Sequence, residues 1–209
     1  MKKEIPADAK ERILAAAIDV FIEKGKYGAR MHEIAKKADI NKAMLHYYYT
    51  DKDTLYEKSL EYIFTKIFMT VEQAFKKDIA IENKIKNFIS IYIDFLAENV
   101  RITRLIMREI IDGAPVIKRI IGGFVTEENW LFSPVTIKMI LDEAKSKGEI
   151  RDVDSIQTII SVLGMSVFYF LSKPVMDEIW NIKTEDCDEF VQKRKESIID
   201  LVLNGIKVR

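Results

Sequence analysis

The stretch "NKAMLHYYYTDKDTL", residues 41–55, sets three consecutive tyrosines beside one of the chain's two histidines, with no acid between Asn41 and Thr50. Asn41 is a favourable N-cap, so the residues after it predict a short helix over 42–48. At about 100° per residue, setting Leu45 inward brings Tyr49 to the same side as a core plug. Ala43 and Tyr47 then point away, Met44 and His46 lie on the two sides, and Lys42 and Tyr48 flank the inward stripe. A solvated helix face normally carries Glu or Lys. This one offers a methyl, a thioether, an imidazole and phenols. Hydroxyl and imidazole donors without negative charge suit a phosphate backbone. Slim Ala43 and pliable Met44 suit base edges, where thymine offers a methyl group.

The flanking sequence supplies the scaffold for that helix. Residues 8–24 place Ile13, Leu14, Ala17, Phe21 and Ile22 at helical spacing, with Asp8 as the expected N-cap and Glu11 completing a capping box. Gly25 and Gly28 then break the helix. A second short helix, 31–38, turns Ile34, Ala35 and Ala38 inward, and Asp39-Ile40 makes a tight turn into Asn41. Thr50 or Asp51 caps a fourth helix running to about Lys77. Two short helices joined by a tight turn, with a helix on either side, form a helix-turn-helix. Lys52 at the start of the fourth helix and Arg30 at the start of the second could each hold a backbone phosphate. Taken singly, Lys52 is also an ordinary solvated charge, Tyr48 an ordinary half-buried ring and His32 a surface residue. The set as a whole carries the reading.

Composition bounds the alternatives. The 209 residues carry 33 basic and 33 acidic side chains, and residues 1–60 hold 12 against 10. A diffusely basic coat is therefore excluded, and any nucleic-acid contact must be local. Eight glycines and four prolines favour long helices over a turn-rich β architecture. Further helices are expected near 80–98, 101–112, 116–121, 126–147, 152–172 and 186–206, punctuated by Gly113, Pro115, Gly122-Gly123, Gly148 and Pro174. Lone Cys187 permits neither an internal disulfide nor a cysteine-based zinc site. The N-terminus has no signal-peptide core. The longest apolar run, 158–171, is shorter than the roughly 20 residues of a membrane span. A cytoplasmic protein without membrane association follows as the expectation.

Residues 10–55 resemble the DNA-binding domain of TetR-family transcriptional regulators. The resemblance lies in "ILAAAIDVFIEKG" (13–25), "IAKKADIN" (34–41) and "AMLHYYYTDKDTL" (43–55). Asp39 stands at the family's turn glycine, Asn41 at its Ser/Thr cap, Ala43 at its small residue and His46 at its first tyrosine. The resemblance implies an all-α fold. Residues 1–55 would form a three-helix head, with the helix-turn-helix at 31–49. Residues 56–209 would form a larger helical ligand-binding and dimerisation body. It further implies a homodimer whose recognition helices enter successive major grooves of a palindromic double-stranded DNA operator, and a small-molecule effector that releases the DNA. The expected DNA-facing residues are Arg30, Lys42, Ala43, Met44, His46, Tyr47, Tyr48 and Lys52.

Helices 152–172 and 186–206 are apolar on more than one face, through Ile156, Ile159, Ile160, Leu163 and Val167, and through Phe190, Ile198, Leu201 and Val202. Two such helices from each subunit would form a four-helix dimer interface. Phe64, Phe68, Tyr92, Phe95, Trp130, Phe132, Met139, Phe168 and Tyr169 could line a cavity for a hydrophobic or aromatic effector, and the same residues also suit an ordinary core. No cofactor or metal is expected. Both histidines fall in the head, and no phosphate loop, nucleophile elbow or metal-ligand spacing occurs, so catalysis is not expected. The remaining alternative is a helical ligand- or protein-binding module without sequence-specific DNA binding. A steep salt dependence of duplex binding separates the two.

Overall fold

A computed structural model describes residues 7–75, 79–126, 134–182 and 187–208. Among them the chain is all-α. The helices are α1 (Ala7–Gly28), α2 (Met31–Lys37), α3 (Lys42–Tyr48), α4 (Lys52–Glu72), α5 (Ile81–Glu98), α6 (Val100–Ile111), α7 (Pro115–Thr126), α8 (Pro134–Ser146), α9 (Ser155–Trp180) and α10 (Cys187–Ile206). They form two compact units. The first comprises residues 1–66 with 104–123, and the second 67–103 with 124–209.

In the first unit, α1 packs on α2 and α2 on α3. Ile13, Ala17, Phe21, Ile34, Leu45, Leu55 and Leu60 are fully buried, each contributing about 1.5–3 kcal/mol if large and aliphatic or aromatic. Phe21 meets Tyr56 edge to face with ring centroids 4.9 Å apart. Helix α1 begins at Ala7, so Asp8 falls inside its first turn and not at the N-cap position. Its course is interrupted at Gly25 (φ 70°, ψ 171°). A Cβ there would meet nothing within 4 Å, so the requirement for glycine is conformational.

The C-terminal part of α6 and the start of α7 belong to this unit. Glu109 on α6 is buried. One oxygen accepts from the Tyr56 hydroxyl on α4 (3.1 Å) and the other from the Val116 N–H at the start of α7 (2.9 Å). Burial, and next the Glu109 carboxylate, push the Tyr56 phenol well above the ordinary tyrosine range. A buried carboxylate is stable only when so satisfied. Beside this pair, Arg119 bridges Glu57 at 2.7 Å.

The core of the second unit joins Ile85, Phe88, Ile89 and Ile93 of α5 with Ile137 and Leu141 of α8, Ile159, Val162 and Phe170 of α9, and Ile198 and Val202 of α10. Burial pushes the Tyr92 phenol up to about 12, and its ring stacks on Phe88 at 6.0 Å. Asp142 ties α8 to the start of α9 by accepting from Lys138, Ser155 and Lys145.

Three expected boundaries are corrected. Helix α4 ends at Glu72, short of Lys77. Helix α7 runs through Gly122-Gly123 to Thr126. Of the helix expected over 126–147, α8 (Pro134–Ser146) lies among the described residues, and 127–133 lie outside them. Helix α9 continues through Pro174 to Trp180, where Asn181 in the left-handed conformation (φ 50°) closes it. A proline removes one ladder hydrogen bond. Here Lys173 pairs with Asp177, and the Tyr169 hydroxyl reaches the same carboxylate at 3.2 Å, so side-chain bonds bracket the gap. At 26 residues, α9 is long and apolar enough, by length and composition, to cross a membrane. Its Ile159, Val162, Ser166, Tyr169 and Phe170 side is nevertheless buried in the second unit.

Candidate nucleic-acid interface

Three local devices aim α3. Helix α2 closes through Ala38 into Asp39, whose left-handed backbone (φ 54°) makes the turn. Asp and Asn adopt that conformation more readily than other side chains. The Asn41 side chain then caps α3 by accepting from the Met44 N–H at 2.7 Å. Leu45 and Tyr49, fully or nearly buried, anchor the inner side. The Tyr49 hydroxyl is buried without a hydrogen-bond partner among the described residues, and burial pushes its pKa up.

The outer side is as expected from the wheel. Lys42, Ala43, Met44, His46 and Tyr47 are exposed and Tyr48 is half-buried. Tyr47 is the most open large hydrophobic side chain of the helix at 64% exposure, and its ring meets that of Tyr48 edge-on at 5.4 Å. His46 Nδ1 lies 3.2 Å from the Thr50 carbonyl oxygen. A carbonyl can only accept, so Nδ1 is the donor of this pair.

The carboxylates of this unit are largely occupied elsewhere. Lys24 pairs with Glu33 at 2.6 Å, Lys37 with Asp19 at 3.0 Å and Lys26 with Asp53 at 3.3 Å. The bond from Lys24 holds the Glu33 carboxyl below its usual range. Asp51 caps α4 by accepting from the Thr54 N–H at 2.7 Å, and that bond lowers its pKa. Between residues 30 and 52 there are five Lys/Arg against three acids. Two of those acids, Glu33 and Asp51, are engaged in this way.

Arg30 stands exposed at the N-cap position of α2. Lys52 differs from the expectation of a free phosphate-facing ammonium. Its Nζ donates to the carbonyls of Tyr27 (3.1 Å) and Ala29 (3.2 Å), stapling the start of α4 to the turn after α1. An ammonium has three donors, so one remains for an anion.

The aromatic residues expected around an effector are dispersed. Phe168 and Tyr169 share a cleft with Met176, Trp180, Phe190 and Arg194. Tyr92 and Phe95 sit half-buried on α5, Phe68 is buried on α4, and Met139 is exposed on α8. Phe64 is half-buried on the part of α4 that belongs to the first unit. Trp130 and Phe132 lie outside the described residues. Met176 and Trp180 escape a reading of the sequence because Pro174 signals the end of their helix. Arg194, in the cationic run "QKRKES", reads as a solvated charge.

Known proteins share this arrangement. The family model for bacterial regulatory proteins of the tetR family matches residues 13–58, and that for the tetracyclin repressor-like C-terminal domain matches residues 82–202. The transcriptional regulator RutR of Escherichia coli strain K12 is 25% identical over 207 residues, 96% of this chain and 91% of that protein. IcaR of Staphylococcus epidermidis, a negative regulator of a biofilm operon, is 42% identical over 55 residues, 26% of this chain and 30% of its own length. FadR of Bacillus subtilis, solved with stearoyl-CoA, superposes with a TM-score of 0.71 at 18% identity, over 94% of this chain and 99% of that one. FadR of Bacillus halodurans gives 0.70 at 18% identity, over 99% and 100%. With both halves of the family pattern matched in order along one chain, the protein belongs to the TetR family of bacterial regulatory proteins and is a DNA-binding regulator of transcription.

Proposed function

We propose that the protein is a repressor that binds a palindromic operator as a homodimer and leaves it when a small hydrophobic or aromatic effector binds its larger body. Residues 1–55 supply the DNA contacts, and residues 56–209 supply ligand binding and dimerisation. The observation that carries the DNA assignment is the outer side of α3, acid-free and open, with its inner side locked by Leu45 and Tyr49. Tyr47, Tyr48 and His46 reach phosphates, Ala43 and Met44 approach base edges, and Arg30, Lys42 and Lys52 add cationic contacts at the rim.

The dimer reading rests on α9 and α10. Ile156, Ile160, Phe168, Val175 and Ile179 recur along α9 as an exposed apolar stripe, and Leu201 is exposed on α10. Gly164 falls within the stripe, and a Cβ there would meet nothing within 4 Å in the chain, so a second helix could approach closely. A contiguous apolar face of this kind marks an interaction surface. The negative-regulator role of IcaR supports repression, and the acyl-CoA in B. subtilis FadR supports an apolar effector.

The test begins with selection of genomic fragments that bind the purified chain. Affinity for the recovered site is then titrated against salt, and mass is measured by sedimentation. The reading expects a palindromic site, a steep fall of affinity with salt and a dimeric mass. Salt-insensitive or sequence-indifferent binding by a monomer would overturn it.

A further inference from the structure

The cleft between α9 and α10 has a volume of about 420 Å³ and is lined by Phe168, Tyr169, Met176, Trp180, Phe190 and Arg194. Five of these side chains are aromatic or thioether and one is a guanidinium. The rings are organised: Tyr169 and Phe190 lie 4.6 Å apart across the two helices, and Tyr169 meets Phe170 edge-on at 5.2 Å. Among the described residues no carboxylate lines the cleft, and the nearby Asp177 is engaged by Lys173 and the Tyr169 hydroxyl.

Arg194 is the anomaly. Its Nη2 donates to the Met165 carbonyl at 2.7 Å, which fixes the guanidinium across the helix pair. Its Nε is buried and has no hydrogen-bond partner among the described residues. Burial pushes the arginine's pKa down. A permanently cationic group held beside aromatic rings, with a buried donor left unmade, is costly unless an acceptor arrives. The acceptor that best offsets that cost is an anion, and a carboxylate matches guanidinium geometry.

We propose that this cleft is a ligand site for a small apolar monocarboxylate. Its ring or short chain would lie against Phe168, Trp180 and the Tyr169–Phe190 pair, with its carboxylate on Arg194. The volume falls at the lower end of small-molecule sites, which suits a one-ring or short aliphatic acid and not a nucleotide-sized head. The assignment rests on the effector reading above and names the class of effector. Phe168 belongs both to the cleft and to the exposed α9 stripe, so an occupant alters the face offered to a second copy.

The chain has two tryptophans, so a Trp130→Phe chain reports on Trp180 alone. Phenylacetate, 3-phenylpropanoate and octanoate, each beside its neutral amide, are titrated while Trp180 fluorescence is read. The expected result is a saturable change for at least one acid, at least tenfold tighter than its amide, with the preference abolished in Arg194→Gln. Equal affinity of acid and amide in the Arg194-intact chain, or no saturable change with any acid, overturns the site without recourse to the Arg194 variant. Operator release is read on the same samples. Acid binding that is Arg194-dependent but leaves the operator bound sustains the site and removes the effector reading. Release by a different compound, with none of the acids bound, does the reverse.

Discussion

Replacing Tyr47 by alanine separates a DNA contact from a structural one. Tyr47 is 64% exposed, and its ring meets that of Tyr48 edge-on at 5.4 Å. An aromatic pair adds about 0.5–1.5 kcal/mol beyond area burial, and at such exposure the lower end applies. A loss below about 1 kcal/mol lowers the melting temperature of a chain this size by only about 2–4 °C. On DNA, a net contribution of about 1.5 kcal/mol per head for one hydroxyl–phosphate bond, the lower end for a charged acceptor, becomes about 3 kcal/mol for two heads, or roughly 150-fold in affinity. Tyr47→Phe, which keeps the ring, should reproduce most of that loss. Because tyrosine is neutral, the slope of log affinity against log salt should not change. Lys42→Gln should weaken binding and also flatten the slope by about 0.9 for each phosphate it no longer neutralises. Fluorescence anisotropy of a labelled operator between about 50 and 200 mM salt reads both quantities. If Tyr47→Ala binds with undiminished affinity while folded, the outer side of α3 does not face DNA. A slope change equal to that of Lys42→Gln would show that Tyr47 acts through charge and not through a neutral hydrogen bond.

Leu45→Ala, at a fully buried position, should cost about 2–5 kcal/mol in chemical denaturation and abolish operator binding, because α3 loses its main anchor. Tyr56→Phe keeps the ring contact with Phe21 but leaves one oxygen of buried Glu109 without its donor, a loss of about 1–3 kcal/mol. Since the folded state raises the Tyr56 pKa above 10.0, its stabilisation is complete below pH 10 and lost as pH rises beyond it. The variant should therefore show a shallower alkaline decline, the remainder belonging in part to Tyr92. Asp142 is held below the ordinary 3.8 by Lys138 first, then Ser155 and Lys145. Its contribution is present above that pH and lost as pH falls further, so Asp142→Asn should flatten the acid limb of a stability–pH curve.

What the sequence made legible was local. Asn41 lies three residues from the N–H it caps, and Asp39 adopts its left-handed turn by its own tolerance of it. The period of Leu45 and Tyr49 follows from 3.6 residues per turn. Contacts that depend on distant pairing left no such trace. Glu109 meets Tyr56 across 53 positions, and nothing in "MREIIDG" marks its acid as buried. Pro174 shows local and tertiary information in conflict. By itself it signals an end, yet the packed side of α9 and the bonds of Asp177 carry the helix six residues further. Met176 and Trp180 then face the same cleft as Arg194.

The recognition helix escaped that conflict because it is too short to have much structure of its own. Seven residues are well below the length at which an isolated helix is stable in water, so α3 exists only where its neighbours hold it. Its inner side must then be the few residues that reach the core, and the wheel leaves little freedom in what faces out. The same reasoning explains Lys52. A short helix aimed by one cap and two buried side chains is only as well oriented as the elements around it. The ammonium bound to the Tyr27 and Ala29 carbonyls ties the helix after α3 to the turn before α2. On the proposed function, a residue of that kind would support DNA binding by holding the angle of approach, with its remaining donor open to a phosphate. On that reading orientation and contact would converge in Lys52, while in Tyr47 they would remain separate.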